Sequence, residues 1–571
     1  MTYLVRKQLW SLLLLLLTAR LGWAQAPAWQ QAVDLGQTGS TDFSEIRASA
    51  TDAAGNVFIA GSFAGDLHLG GITLSGTGTN LFVAKWNPAA GFVWAQATNS
   101  TIASARVDVR GLAVQGGNVF VTGFKFSYPT TFGSITVTGQ GISCGFVAKL
   151  ADAGPTGSFT WVHALSGADV LPLAVAVQSS GVYVTGNFNG TLTVGAATLV
   201  NQRPSGSEMF VAKLNDAGST VAEAWGQRGG GAVQSLAVSG ANVYVAGTFS
   251  SAPTDFGTTT LTNSSSGFAS DVFVAKLSDA GSTGSYAWAQ AIGGGGYEYV
   301  RALAARGTEV YLAGSFGSPT TTFGGLTLTN AQGGTGTTPA PVDAYVAKLR
   351  DAGSSASFVW ALRAGGSDAE EVRALTLNGT SVLVAGYQLS STAAYGSSVL
   401  TSGGTGGLFV ASITDAGSSA QFAWAQGAAA NANFPAECIA VHSPRVYVSG
   451  NFRGTATFGS QVLTTAAPYQ TGYLAVLNDP TLLPAAAPAT PVALAAFPNP
   501  AHDMLTVQLP APAAARTSLT LLDALGRPVR HYAVTSGSTR LPLDLTGLAP
   551  GLYALRLTAA GRPLISRLVV E

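Results

Sequence analysis

"PAWQQAVDLG" (residues 27–36) reads as the end of a repeat whose beginning is missing. Segments of the same kind, "YAWAQAIGGG" (286–295) and "FAWAQGAAA" (422–430), each close a longer unit. The unit is marked by an apolar run ending in glycine. It occurs as "NVFIAG" to Gly61, "NVFVTG" to Gly123, "GVYVTG" to Gly186, "NVYVAG" to Gly247, "EVYLAG" to Gly314, "SVLVAG" to Gly386 and "RVYVSG" to Gly450. Seven copies stand 61 to 72 residues apart, a period that belongs to repeat architectures.

Between anchors the order is constant: a "TFG…TLT" segment, "FVAKL" or a variant, a "DAG" turn, a Trp strand, a Gly-rich joint and an "LAV" strand. The runs are short, rich in β-branched and aromatic residues, and bounded by Gly, Asn, Asp and Ser, which predicts strands. "DAGS" has the chemistry of a hairpin turn. No helical periodicity is sustained over ten residues. Four main strands per repeat predict one propeller blade, with "TFG…TLT" a minor hairpin decorating a loop.

Internal Trp strands number six, at Trp94, Trp161, Trp225, Trp288, Trp360 and Trp424, and the seventh repeat ends at "YLAVL" (473–477) without one. Trp29 in the orphan segment is read as the seventh. An N-terminal strand completing the last blade closes the ring and leaves no exposed joint; the competing architecture is an open β-solenoid. The expected fold is therefore all-β, a seven-bladed β-propeller over 25–478 closed by its N-terminal strand. The repeats resemble bacterial β-propeller repeats of exported proteins, through "DAAGNVFIAG" (52–61). That resemblance implies an architecture and no particular reaction.

Residues 1–24 are expected to be a signal peptide: Arg6 and Lys7 precede an apolar run of about a dozen residues, too short for a membrane span. Cleavage is expected between Ala24 and Gln25. Cys144 and Cys438 are expected to be buried thiols, because two cysteines do not make a disulfide scaffold.

A Pro- and Ala-rich linker (479–496) precedes a segment of different pattern, 497–571, whose short alternating strands and turns predict a small Ig-like β-sandwich. Its blocks closely resemble the type A C-terminal sorting domain of the type IX secretion system. The matching residues are Pro498, Asn499 and Pro500, then Asp523, Gly526 and Arg527, then Leu548, Gly551 and Tyr553, with "RLVV" (567–570) at the end. The resemblance implies recognition by the type IX machinery, export in two steps, and a secreted or surface-attached product that meets the membrane only through that attachment.

Charged residues are 10% of the chain and the net charge is zero, which sets nucleic-acid binding aside. Aligned on the anchor glycine, the residue just before the innermost strand is Arg47, Arg110, Leu173, Gln234, Arg301, Arg373 and Glu437 in successive blades. Arg47, Arg110, Arg301 and Arg373 at one channel mouth match a carboxylate or sulfate ligand. Glu45, Asp108, Glu298 and Glu371 stand nearby, so local ion pairing is the competing reading. The "DAG" aspartates precede their Trp by nine residues, a register unlike the Asp-box, and read as turn residues. Lys85, Lys149, Lys213, Lys276 and Lys348 recur once per blade, as scaffold positions do.

No metal-binding or nucleophile motif occurs, and neither cofactor nor catalytic residue is assigned. Two function classes remain. One is a monomeric, noncatalytic propeller for adhesion, for glycan or protein binding, or as envelope scaffold. The alternative is a polysaccharide-active glycosidase or lyase drawing carboxylates from Glu298, Glu370, Glu371 and Glu437.

Overall fold

The computed structural model describes residues 26–36, 43–100, 102–126, 128–138, 142–203, 206–250, 253–265, 269–333, 341–402, 406–430, 435–465, 470–482, 495–509, 518–523, 526–559 and 562–571. The leader, its cleavage point and most of the Pro/Ala linker lie outside the described residues. The chain divides into two compact units, Met1–Leu483 and Pro484–Glu571.

The first unit is built of seven antiparallel four-stranded blades, strands a to d from the channel outward. In blade 5 these are Glu298–Arg306, Glu309–Phe316, Asp343–Asp351 and Ala356–Gly366. The innermost strands are Phe43–Thr51, Val107–Gln115, Ser166–Gln178, Ala232–Ser239, Glu298–Arg306, Glu370–Asn378 and Ala436–His442. Each lies against the next, and the seventh lies against the first. Seven apolar clusters hold the ring, one at each blade boundary. Stability therefore comes from blade-to-blade burial, at roughly 1.5–3 kcal/mol for each large side chain removed from water.

Blade 7 takes strands a to c from Ala436–His442, Arg445–Phe452 and Thr471–Asn478, and its outer strand from Trp29–Asp34. The orphan segment is thus the closing strand, antiparallel to Thr471–Asn478. Its register corrects the Trp count. In blades 1 to 6 the Trp faces the Lys position of strand c, as Trp94 faces Lys85 and Trp424 faces Ser412. In blade 7 that place belongs to Gln31, opposite Val476. Trp29 stands two residues earlier, where other blades carry Phe159, Tyr286, Phe358 or Phe422, and it does the same packing. Those rings meet Phe132, Phe256, Phe323 and Tyr395, and Trp29 meets Phe458 edge-on at 5.0 Å.

The "TFG…TLT" hairpin is more than a loop decoration. In blades 2, 5, 6 and 7 it pairs with the outer strand of the preceding blade and adds two strands to that sheet. In blade 1 it is the long tip of the hairpin Val57–Leu69/Ile72–Asn87, and in blade 4 it stands as a separate pair.

Every innermost strand carries a β-bulge, and the extra residue is in turn Arg47, Arg110, Leu173, Gln234, Arg301, Arg373 and Glu437. These residues lie within the strand, not just before it as the sequence suggested. The bulge also explains the anchor glycine. It drives the carbonyl two residues upstream (Glu45, Asp108, Leu171, Ala232, Tyr299, Glu371 or Pro435) onto strand b, where any Cβ at the anchor would collide with it.

The second unit packs a three-stranded sheet (Ala495–Phe497, Met504–Gln508, Arg540–Asp544) and a four-stranded sheet (Pro528–Ala533, Ser518–Leu522, Gly551–Ala559, Arg562–Val570) around one apolar cluster. The sorting-motif residues hold it together. Asn499 donates to the Arg567 carbonyl and accepts from the Val569 amide, tying the Pro-Asn-Pro segment to the last strand. Arg527 pairs with Asp523 at 2.8 Å across the turn that Gly526 makes. The Tyr553 hydroxyl donates to the Ala549 carbonyl, and Leu548 packs on the core.

Candidate functional site

The repeated Lys, Trp and Asp side chains meet between blades. Asp152 of blade 2 accepts from Lys85 Nζ at 2.7 Å and Trp94 Nε1 at 2.9 Å, both of blade 1. Asp216, Asp279, Asp351 and Asp415 repeat the arrangement at the next four boundaries. From blade 3 to blade 5 a Tyr hydroxyl joins, as Tyr311 donates to Asp415 at 2.7 Å. At the sixth boundary Ser412 replaces the Lys, so the latch keeps only the Trp424 donor to Asp479, whose other carboxylate oxygen accepts from the amide and hydroxyl of Thr481. The packing thus runs past Asn478, and Leu482 lies in the blade 6/7 core. Each aspartate serves the preceding blade's Trp rather than its own, so the latch is structural. Burial raises Asp279, Asp351 and Asp415, but the Lys, Tyr and Trp donors outweigh it and hold them below the usual carboxylate value.

The channel is where the repeat stops repeating. The seven bulge residues occupy one structural position with unlike chemistry, charged in blades 5, 6, 7, 1 and 2 and neutral in blades 3 and 4. Glu371 receives Arg301 at 2.8 Å and Arg373 at 2.7 Å, and Arg373 reaches Glu437 at 3.6 Å. Arg47 pairs with Glu45 at 2.7 Å. Burial lowers the Arg47 guanidinium, but Glu45 and Glu437 more than compensate and raise it. Asp108 is bound by Arg106 at 2.9 Å, not by Arg110. Arg110 stacks over Phe124 at 5.5 Å, and its buried Nε has no hydrogen-bond partner among the described residues. Burial depresses it, and Arg47 and Arg106 add to this against the pull of Asp108 and Glu45. Three of the four predicted arginines are therefore ion-paired within the arc, and the fourth is a cation with an open valence.

The four glutamates of the catalytic pool do not converge. Glu371 and Glu437 are engaged by arginine. Glu298 turns away from Arg301 into the blade 4/5 boundary, fully buried, hydrogen-bonded by Ser318 and Thr321. Glu370 repeats this at the 5/6 boundary beside Ser390. Burial pushes both up to about 7, with Asp271 and Asp343 adding like charge. Folding is thus favoured by their protonated forms. Their contribution is full below about pH 4.3, where the unfolded chain is also protonated, and falls away until pH reaches about 7. The Glu298→Gln/Glu370→Gln variant is expected to melt higher than the parent at pH 8 and level with it at pH ~4. Equal melting curves at both pH values would refute this.

Sequence reasoning located the bulge residues but missed which arginine is open. The only available signal was Arg106, two residues before Asp108. Cys144 and Cys438 are both buried and form no disulfide. Among the described residues no group of His, Cys, Asp and Glu is arranged to hold a metal ion, and no helix is long and apolar enough to cross a membrane.

Residues 495–571 match the family model of the secretion system C-terminal sorting domain. No curated protein matches the chain. Among solved structures, a protein from Lactobacillus plantarum is 14% identical, covering 69% of this chain and 94% of its own, with a TM-score of 0.37. A Trypanosoma rangeli sialidase mutant displaying trans-sialidase activity is 8% identical, with coverages of 95% and 89% and a TM-score of 0.27. A glycoside hydrolase family 32 protein from Bifidobacterium adolescentis is 8% identical, with coverages of 95% and 95% and a TM-score of 0.22. The fold is read from the sheet topology, independent of these likenesses. The tail match indicates recognition by the type IX secretion machinery and export to the cell surface or the extracellular space.

Proposed function

We propose that this exported propeller is a noncatalytic binding protein that takes an acidic extracellular glycan at the charged arc of its channel. The observation that supports this reading is Arg110, a guanidinium beside Arg47 that makes no ion pair among the described residues while Arg47, Arg301 and Arg373 each do. A carboxylate or sulfate there would meet a planar fork of donors. The ion pairs of Arg301 and Arg373 make those two arginines supports that orient Glu371 rather than ligand contacts.

The test is binding of polygalacturonate and dextran sulfate to the purified protein, with neutral dextran as reference. Arg110→Ala is expected to weaken acidic-polymer binding at least about tenfold, the loss of one charge-assisted contact, with an unchanged melting temperature. Unchanged affinity would sink the proposal. Polymer cleavage that is lost in Glu371→Gln would replace it with the enzymatic reading.

A further inference from the structure

Blade 6 holds a cavity of about 280 Å³ lined by its strands c (Gly407–Asp415) and d (Ala420–Ala430) and by the flanking hairpins Thr392–Thr401 and Thr455–Thr464. Its origin is visible in the repeat. In blade 3, Glu208 at the start of strand c pairs with Arg228 of strand d at 3.2 Å, and in blade 5 Asp343 pairs with Arg363 at 2.8 Å. The corresponding residues of blade 6 are Gly407 and Gly427, the one blade with glycine at both places. Both halves of the ion pair are gone together, so space opens and no stranded charge remains.

The chemistry of the lining is specific. It contains no ionisable side chain. Leu400, Leu408 and Ala428 supply apolar surface, and Thr401 and Thr457 supply hydroxyls, while the Ser402 hydroxyl is donated to the Ser390 carbonyl. Gln388 also lines it, but its amide is engaged by Ser390, Leu400 and Tyr395. Gln426 differs. Its counterparts Gln227 and Gln290 donate to carbonyls of the next blade, Gly284 at 2.7 Å and Ala356 at 3.4 Å. The Gln426 side chain makes no hydrogen bond to any described residue, and the residue lines the cavity.

We infer that this cavity is a binding site for a neutral monosaccharide unit, separate from the channel arc. A sugar ring presents an aliphatic face for the leucines and hydroxyls that both donate and accept, which suits an amide with neighbouring threonines. A charged ligand would find no counter-charge and would be desolvated without compensation.

The experiment is saturation-transfer NMR of the purified full chain with glucose, galactose, mannose and N-acetylglucosamine, each followed by titration. At least one is expected to bind with Kd on the order of 1 mM. Gly427→Arg sets the sister blades' guanidinium into the cavity. The backbone position accepts it, since the nearest atoms to a Cβ there are the Leu408 carbonyl oxygen at 3.6 Å and Leu400 Cδ1 at 4.0 Å. This change is expected to weaken binding at least about tenfold, and Gln426→Ala, which removes only a side-chain amide, to do the same. Arg110→Ala should leave sugar binding unchanged, which separates this site from the channel. No saturation transfer from any of the four sugars at about 50 mM, some fifty times the expected Kd, would overturn the inference. So would transfer that persists in both cavity variants.

Discussion

Replacing Asp415 by alanine is expected to destabilise the propeller by about 3–5 kcal/mol, the cost of removing one partner from a buried ion pair. Asp415 collects three donors of blade 5: Lys348 at 2.7 Å, Tyr311 at 2.7 Å and Trp360 at 3.1 Å. Lys348 has no exposed surface, so its ammonium would be left with Glu309 as its one carboxylate and the Gly417 carbonyl at 3.2 Å. Desolvation of the orphaned donors, rather than the net worth of the contact, sets the magnitude. Asp479→Ala at the next boundary removes an acceptor from buried Trp424 and from solvent-exposed Thr481 but leaves no cation behind, because Ser412 stands at the Lys position. Its cost should be nearer 1–2 kcal/mol, that of one unsatisfied neutral donor. Denaturant midpoints of the two variants, compared at equal slope, provide the check. Equal losses in both would refute the argument from the buried lysine.

The same latch shows what the sequence reveals and where it stops. The strands were legible because each is a short β-branched run set off by turn chemistry, repeated until chance is excluded. The recurrence of Lys, Asp and Trp was legible too, but not their partnership, because Asp152 reaches a tryptophan 58 residues upstream in another blade. The bulge was invisible as such, since one extra residue leaves the alternation of neighbouring strands intact. Only the invariance of the anchor glycine across seven copies hinted that a backbone atom approaches it. Trp29 is an aromatic in the expected strand, but its register two residues earlier makes it the hairpin's packing ring rather than the counterpart of the other six tryptophans. The cavity of blade 6 was written in two glycines among dozens. It became readable only when their counterparts proved to be an ion pair.

Deleting residues 27–36 is expected to lower stability more than any single substitution, because the blade 7/1 boundary lacks the latch that secures the others. Gln31 stands at the Trp position, Val476 at the Lys position and Pro88 at the Asp position. All three latch residues are replaced together, and the closing segment takes over their role. Trp29 is buried in the blade 6/7 cluster, donating from Nε1 to the Gly427 carbonyl at 2.9 Å. Leu35 is fully buried in the blade 7/1 cluster, and its amide donates to the Gly472 carbonyl at 2.9 Å. Burial of a tryptophan and a leucine alone corresponds to roughly 5–10 kcal/mol on truncation, before the bared edge of Thr471–Asn478 is counted. The deletion should therefore unfold at a clearly lower temperature. Hydrogen exchange in its blades 7 and 1 should speed up before that in blades 3 and 4. A synthetic peptide of sequence PAWQQAVDLG, supplied in excess, should restore part of the melting temperature by pairing with the vacant edge. The same peptide with its Trp replaced by Ala should restore less. An unchanged melting temperature on deletion would mean that the ring closes without this strand.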